Sequence, residues 1–412
     1  MTMNVRQGRA PKALDRRAAD VVAHFSTTAS DPAERFVRLR ETCPVALQGG
    51  GGANGGTRSA WLVTRYADIV AVARDPATFG QGLRFTERRR PPLEANPPEH
   101  RAWRAVLQPF FLPKAIHARE PRVRGIAIDL IAPLVAAGGG DVATQVARPL
   151  PPQVLLDWMG QPTTDWEMVK TACEAAFLQS SGDPDERRTF EEADDRLWAY
   201  ARAVLADRRA ESRDPAADPV AAMLAGAIDG APLRDDLIVG AVRLLLAAGH
   251  DSTTSAIGTC IQLVAEDRAL QDMLRAEPER IPAAIEEMLR IRPPVLQMPR
   301  TVMRDTRLCD VDLEADDAML LAFASGNRDE RAFPQPDRFD PDRTPNRHLS
   351  FGTGIHTCIG NTLARQEIRV VLEELLRRSR SFTVARDSDH EFWHPYGVTA
   401  LPLAIEPARD VA

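Results

Sequence analysis

Phe351-Gly352-Thr353-Gly354-Ile355-His356-Thr357-Cys358-Ile359-Gly360 is the stretch that decides how this chain is read. Glycines at 352, 354 and 360 allow a tight, backbone-rich loop. Asn361 to Arg378, directly after it, has helical periodicity. The loop therefore delivers Cys358 just ahead of a helix N-terminus, where the dipole favours a thiolate. No second cysteine and no base–acid pair lies beside it, so neither a zinc site nor a nucleophile is indicated. A lone cysteine is usually inert core. One held in a glycine-rich loop at a helix start also suits a metal or haem ligand. From the loop alone both readings stay open.

Working back from the loop, Leu233 to about Asp267 reads as one buried segment, roughly 50 Å long if continuous at 1.5 Å per residue. Leu244, Leu245 and Leu246 belong to a first half that is apolar around most of its circumference, as in a central helix. Ala248-Gly249-His250-Asp251-Ser252-Thr253-Thr254 then interrupts it with glycine and hydroxyl residues, which are poor helix formers. The interruption is either a functional distortion or an ordinary break between two helices. Further upstream, Pro97 to Asp267 is mainly helical, and Ala60 to Thr64 reads as a strand running into a helix from Tyr66. Neither a repeat nor a linker divides the chain. The expected fold is mainly α with small peripheral β-sheets in one large domain.

The 412 residues carry 52 basic and 58 acidic side chains, a net charge of −6. A dedicated nucleic-acid binder would carry a basic footprint, so nucleic acid is not an expected partner. No apolar run approaches the 20 or so residues of a membrane span. The five cysteines are scattered without a CxxC pair, which is cytosolic usage. A soluble, cytoplasmic, monomeric protein is expected. Arg6, Arg9, Lys12, Arg16 and Arg17 lack a following apolar segment and mark residues 1–29 as a disordered basic tail rather than a signal. Six glycines between Gly49 and Gly56 mark a flexible loop.

Taken together, these motifs resemble the cytochrome P-450 superfamily of haem-thiolate monooxygenases. Phe351, Gly354, Cys358 and Gly360 match its FxxGxxxCxG signature, and Glu287 and Arg290 match its ExxR pair. The run from Asn327-Arg328-Asp329 through Phe333, Pro336, Phe339, Pro341 and Arg343 matches the stretch leading to the meander. Ala248 to Ser252 match the oxygen-binding groove, and His100 with Arg104 matches the HxxxR helix of soluble bacterial members. Five motifs fall in the family's order over about residues 30 to 405, within an expected catalytic domain of 30–412.

The resemblance implies haem b (iron protoporphyrin IX) with Cys358 as its axial iron ligand, in a loop that includes Phe351, Gly352, Ile359 and Gly360. Phe351 would pack on the cysteine and keep water from the sulfur. The haem propionates need cations or donors, for which Arg104, Arg300, His100 and His356 are the candidates. Glu287, Arg290 and Arg343 would form a structural network bracing the loop. Asp251 and Ser252 would deliver protons to dioxygen beside Ala248 and Gly249. The family usually has threonine where Ser252 stands, and serine lacks the β-methyl that restricts χ1. Thr253 is about 100° further round the helix, an unsuitable stand-in.

Leu83, Phe85, Phe177, Leu244, Leu245, Ala248, Val295, Leu296 and Val398 are the pocket candidates; all are apolar, which implies a mainly apolar substrate. Arg88-Arg89-Arg90 is either a solvated loop or a grip on an acidic or carrier-linked substrate. Electrons from NAD(P)H would arrive through a separate ferredoxin and ferredoxin reductase. Arg101, Arg347 and Arg365 are the candidate docking cations. The implied activity is insertion of one atom of O2 into an organic substrate. A haem-thiolate oxidase that couples aromatic groups shares these motifs. A haem-binding sensor without turnover is a rival of another class, against which the Asp251–Ser252 pair speaks.

Overall fold

The computed structural model describes residues 36–48, 59–82, 88–177, 184–391 and 396–409. Helices dominate, as the periodicity predicts, and the sheets are small and peripheral. The expected basic tail, the Gly49–Gly56 loop, Leu83 and Phe85 lie outside the described residues. One continuous apolar core draws on side chains from Trp103 to Ile405. Two smaller clusters cover the two faces of the five-stranded sheet, Met319 and Leu321 belonging to one and Leu320 to the other.

That sheet runs Val45–Gln48, Ala60–Val63, Ala318–Leu321, Met298–Val302, Phe79–Gly80. Met319 is its hinge of register, opposite Trp61 in a parallel pair and opposite Arg300 in an antiparallel one. Arg300 thereby projects from an inner strand rather than an edge. The Ala60 strand runs into a helix at Tyr66–Arg74, as expected.

The long central segment is two helices, Asp235–Ala248 and Asp251–Glu266, separated at Gly249 and His250. His250 leaves helical geometry (φ −129°, ψ −43°). The hydrogen bond from Thr254 N to His250 O, 2.7 Å, restarts the ladder. Gly249 stands where a side chain has no room: a Cβ there would meet Leu155 Cδ2 at 2.9 Å and Leu245 O at 3.1 Å. The break is therefore also a point of close approach to the Leu150–Trp158 helix.

Beyond the break, the Asp251 helix packs against the Ile281–Ile291 helix and against Asn361–Arg378, the helix that follows the cysteine loop. Among the described residues no helix is long and apolar enough to cross a membrane.

Candidate active site

The cysteine loop is built as its glycines demand. Gly352 and Gly354 adopt φ of +68° and +74°, a region costly for any residue with a Cβ. At Gly354 a Cβ would also strike Ala73 O at 2.1 Å. The turn closes with Cys358 N donating to Phe351 O at 2.8 Å, and the Asn361 helix begins three residues later. Cys358 is exposed, yet the protein around it desolvates the thiol strongly. Burial raises its pKa, and the Gly360 amide, Arg104 and Arg365 only partly offset that. Cys358 is thus exposed as a residue while its thiol is desolvated by the protein around it. The dipole at the helix start does not by itself make a thiolate here; burial outweighs it. Phe351 is tied to Cys358 through its carbonyl, while its ring lies under the Arg365 guanidinium, 4.2 Å from the ring centre.

Beside the loop are four basic side chains with no acidic partner among the described residues. His100 and Arg104 lie one turn apart on the Glu99–Leu107 helix. The His100 and His356 rings meet edge-on, centroids 4.4 Å apart. Arg104 donates to Thr357 O at 3.0 Å and to Gln108 Oε1 at 2.8 Å. Arg300 is buried and donates to its neighbour's carbonyl, Pro299 O, at 2.7 Å. Burial pulls the Arg300 guanidinium down to about 10. Burial, then Arg104 and Arg300, lowers His100 to about 4. Burial, then Arg300, His100 and Arg104, lowers His356 to about 3. His356 Nε2 is buried without a partner. Two guanidinium charges beside two neutral imidazoles, with no carboxylate against them among the described residues, favour the entry of an anion. The set fits a buried dicarboxylate, and with the accessible cysteine it fits an iron macrocycle carrying two acid groups. Arg104, Arg300, His100 and His356 could hold those groups, and Cys358 could hold the metal.

Along the central helices, accessibility differs between neighbours. Leu244 and Ser252 are half-buried and Ala248 is exposed, while their neighbours Leu245, Ala247, Asp251 and Thr253 are buried. Leu244 and Ala248, four apart, share a face of the first helix, and Ser252 lies in the first turn of the second, across the break. Leu245, about 100° away, belongs to the core, as does Val398, which sits over Gly258 in the second helix. Both pocket candidates are buried in that core. Val295 and Leu296 are half-buried, one against each of the clusters on the two faces of the sheet. Of Phe177 only its place at the end of the Trp166–Phe177 helix is described. Thr253 turns its hydroxyl back to Gly249 O at 3.5 Å, away from the face that carries Ser252.

Asp251 is not a free acid. Lys170, almost fully buried, donates to Asp251 Oδ1 and lies 3.5 Å from both Thr254 Oγ1 and Glu174 Oε1. His250 Nδ1 is 3.4 Å from the same carboxylate oxygen, but its geometry makes no hydrogen bond. Burial pushes the Asp251 carboxyl up, and His250 and Lys170 outweigh it, leaving it at about 2. Of the two, Lys170 is the partner with real hydrogen-bond geometry. Glu174, in turn, is half exposed and forked by Arg148 at 2.7 and 3.0 Å. Sequence reasoning missed Lys170, although a signal existed: it lies in the buried stripe of Val169, Ala172 and Cys173, where a lysine needs a partner.

The ExxR pair is a buried network, as expected. Glu287 and Arg290 have fully buried side chains joined at 2.7 Å, and Arg343 reaches Glu287 at 3.1 Å. Each arginine of the run has an acidic partner within the molecule. Arg88 pairs with Asp195 at 2.8 Å, Arg89 with Glu99 at 2.6 Å and Arg90 with Glu94 at 2.6 Å. Arg365, expected on a docking surface, is forked onto Glu286 at 2.7 Å; Arg101 and Arg347 remain exposed.

The cytochrome P-450 family profile matches residues 183–401. The chain is 38% identical over 339 residues to the erythromycin C-12 hydroxylase of Saccharopolyspora erythraea, covering 80% of this chain and 84% of that one. It is 34% identical over 359 residues to the mycinamicin IV hydroxylase/epoxidase of Micromonospora griseorubida, covering 84% and 87%. A solved structure of an EryK mutant in complex with erythromycin B superposes with a TM-score of 0.82 at 33% identity, covering 96% of this chain and 99% of that one; EryK is from S. erythraea. The acid-free cation cluster, the accessible cysteine and these likenesses agree: this chain belongs to the cytochrome P-450 family and is a haem-thiolate monooxygenase.

Proposed function

We propose that this enzyme inserts one atom of O2 into a large, mainly apolar secondary metabolite, using haem b held by Cys358 and electrons relayed from NAD(P)H by a ferredoxin and its reductase. The observation that carries the haem reading is the exposed Cys358 beside four basic side chains that have no acidic partner among the described residues. Haem iron, when bound, supplies the redox centre at which dioxygen is activated. The relatives are named for erythromycin and mycinamicin IV, which supports a large product of secondary metabolism as substrate. The relatives are named as hydroxylases and epoxidases, which favours neither the aromatic-coupling oxidase nor the sensor.

The chain's own residues divide the work. His100, Arg104, Arg300 and His356 bind and orient the acid groups of the macrocycle. Leu244 and Ala248 form an apolar wall that excludes water. Ser252, just past the break, holds a proton at its Oγ. Behind it, Lys170 and Asp251 hold a buried charge pair whose far end, Glu174, reaches solvent. A proton can enter at Glu174, pass the Lys170 ammonium and reach Asp251. Ser252→Ala is expected to keep haem binding while sending most of the NAD(P)H electrons to hydrogen peroxide. The check is peroxide and product counted per NAD(P)H consumed, with a tight-binding substrate present. Coupling equal to the parent would remove Ser252 from the proton path. Asp251→Asn is expected to slow turnover and also to destabilise by about 3–5 kcal/mol, because Lys170 loses its buried counter-charge.

Electron delivery has its own test. Arg101 is exposed on the helix that carries Arg104, next to the cysteine loop. An acidic ferredoxin is steered by such cations chiefly at low salt. Arg101→Glu is expected to slow reduction several-fold at low ionic strength and little at high. Stopped-flow reduction across a salt series decides it; an unchanged rate throughout excludes Arg101 from the docking site.

A further inference from the structure

Glu286 stands one residue before the ExxR glutamate and points elsewhere, since successive residues are about 100° apart on a helix. Whereas Glu287 is fully buried, the Glu286 side chain keeps 27% of its surface accessible and reaches across to the helix after the cysteine loop. Its two oxygens take a fork from Arg365, Nε to Oε1 at 2.7 Å and Nη2 to Oε2 at 2.7 Å. His348 Nε2 adds a third bond to Oε2 at 3.0 Å. Ser350 N donates to His348 Nδ1 at 3.2 Å, which assigns the ring proton to Nε2. Burial raises the Glu286 carboxyl, but Arg365 and His348 hold it down at about 2, so this is a carboxylate.

Arg365 then reaches both sides of the cysteine. Its Nη1 donates to Asn361 Oδ1 at 2.8 Å, and Asn361 Nδ2 donates to Cys358 O at 2.5 Å. Its guanidinium also covers Phe351, whose carbonyl accepts from Cys358 N. The N–H and the C=O of Cys358 are thus each bonded to a residue that Arg365 touches. No other charged pair described in the cysteine loop has this property.

We propose that Glu286 and Arg365 are a positioning and charge-setting pair behind Cys358: Arg365 fixes the loop and stabilises an added electron at the metal, and Glu286 fixes Arg365 and attenuates its charge. This rests on Cys358 being the iron ligand. Reduction adds one negative charge at the metal, so a nearby cation favours the reduced state and a nearby anion opposes it. Removing either member of the pair therefore shifts the redox equilibrium in opposite directions, which loss of packing alone would not do. The planar fork also separates position from charge, because lysine keeps the charge and loses the two parallel bonds.

The experiment uses the full, haem-loaded chain and its variants Glu286→Gln, Arg365→Gln, Arg365→Lys and Asn361→Leu. The ferrous-to-ferric ratio is read at a fixed poise, and haem loss is followed by transfer to a haem-free acceptor globin. Glu286→Gln is expected to raise the ratio several-fold and Arg365→Gln to lower it several-fold. Arg365→Lys should leave the ratio near the parent's but release haem faster. Asn361→Leu, which leaves the ion pair intact, should also release haem faster, and it serves if the charge variants do not fold. Shifts of the same sign in the two glutamine variants, or none in either, would overturn the proposal. So would parental haem retention in both Arg365→Lys and Asn361→Leu. Cys358→Ser tests the ligand reading separately: its failure is a retained spectrum in that variant, whatever the pair does.

Discussion

Cys358→Ser is expected to abolish the red-shifted Soret band of the CO complex and all monooxygenation together. Serine keeps the loop's size and its hydrogen bonding but offers a hard, protonated oxygen in place of a polarizable sulfur. The band depends on thiolate ligation, so it reports the ligand independently of catalysis. None of the other cysteines can substitute. Cys173 and Cys260 are fully buried with thiols pushed well up by desolvation. Cys43 and Cys309 lie in the strand-rich part of the chain, outside the cysteine loop. The measurements are a CO difference spectrum and a product assay on the same preparation. Persistence of both signals would mean that the sulfur is not the ligand.

Glu287→Ala is expected to cost about 3–5 kcal/mol, the scale for removing one partner of a buried ion pair. Against a total stability of roughly 5–15 kcal/mol, that is enough to prevent accumulation of folded haem protein at physiological temperature. Glu287 accepts from Arg290 at 2.7 and 2.8 Å, from Arg343 and Asn346 at 3.1 Å each, and from Asp340 N at 3.0 Å. Arg290 Nη1 in turn donates to Asn327 O at 2.8 Å and Pro336 O at 2.7 Å. Removing the carboxylate leaves two guanidinium groups, one fully buried, without their counter-charge. Chemical denaturation followed by far-UV dichroism checks it, and a midpoint equal to the parent's would contradict the network's role. The same carboxyl gives a pH signature. Burial raises its pKa, but Arg290 and its other partners bring it below the usual carboxylate range. Its contribution is therefore full above the ordinary range and is lost as pH falls through the lowered value.

Several parts of the site were legible because they are local. The loop around Cys358 can be read from glycines that the turn requires and a helix that starts at once. The ExxR pair is readable because three residues bring two side chains to one helix face. The interruption after Ala248 is written in glycine and hydroxyl residues within one turn. Even the choice between distortion and break depended on more than this: at Gly249 the Leu150 helix presses in through Leu155, an approach that joins residues far apart in the chain.

What only the tertiary structure decided concerns partners. Lys170 and Asp251 are 81 positions apart, and Arg365 and Glu286 are 79 apart. A charged side chain declares nothing locally about where its counter-charge will be, because burial selects the pairing and burial is a property of the assembled fold. That is why Arg365 reads as a docking cation in sequence and as the loop's brace in space, and why Arg88 reads as a free charge and pairs with Asp195. The same reason separates Leu244 from Leu245: both are apolar, and only the packed neighbours determine which of two faces, about 100° apart, stays half-buried and which meets the core.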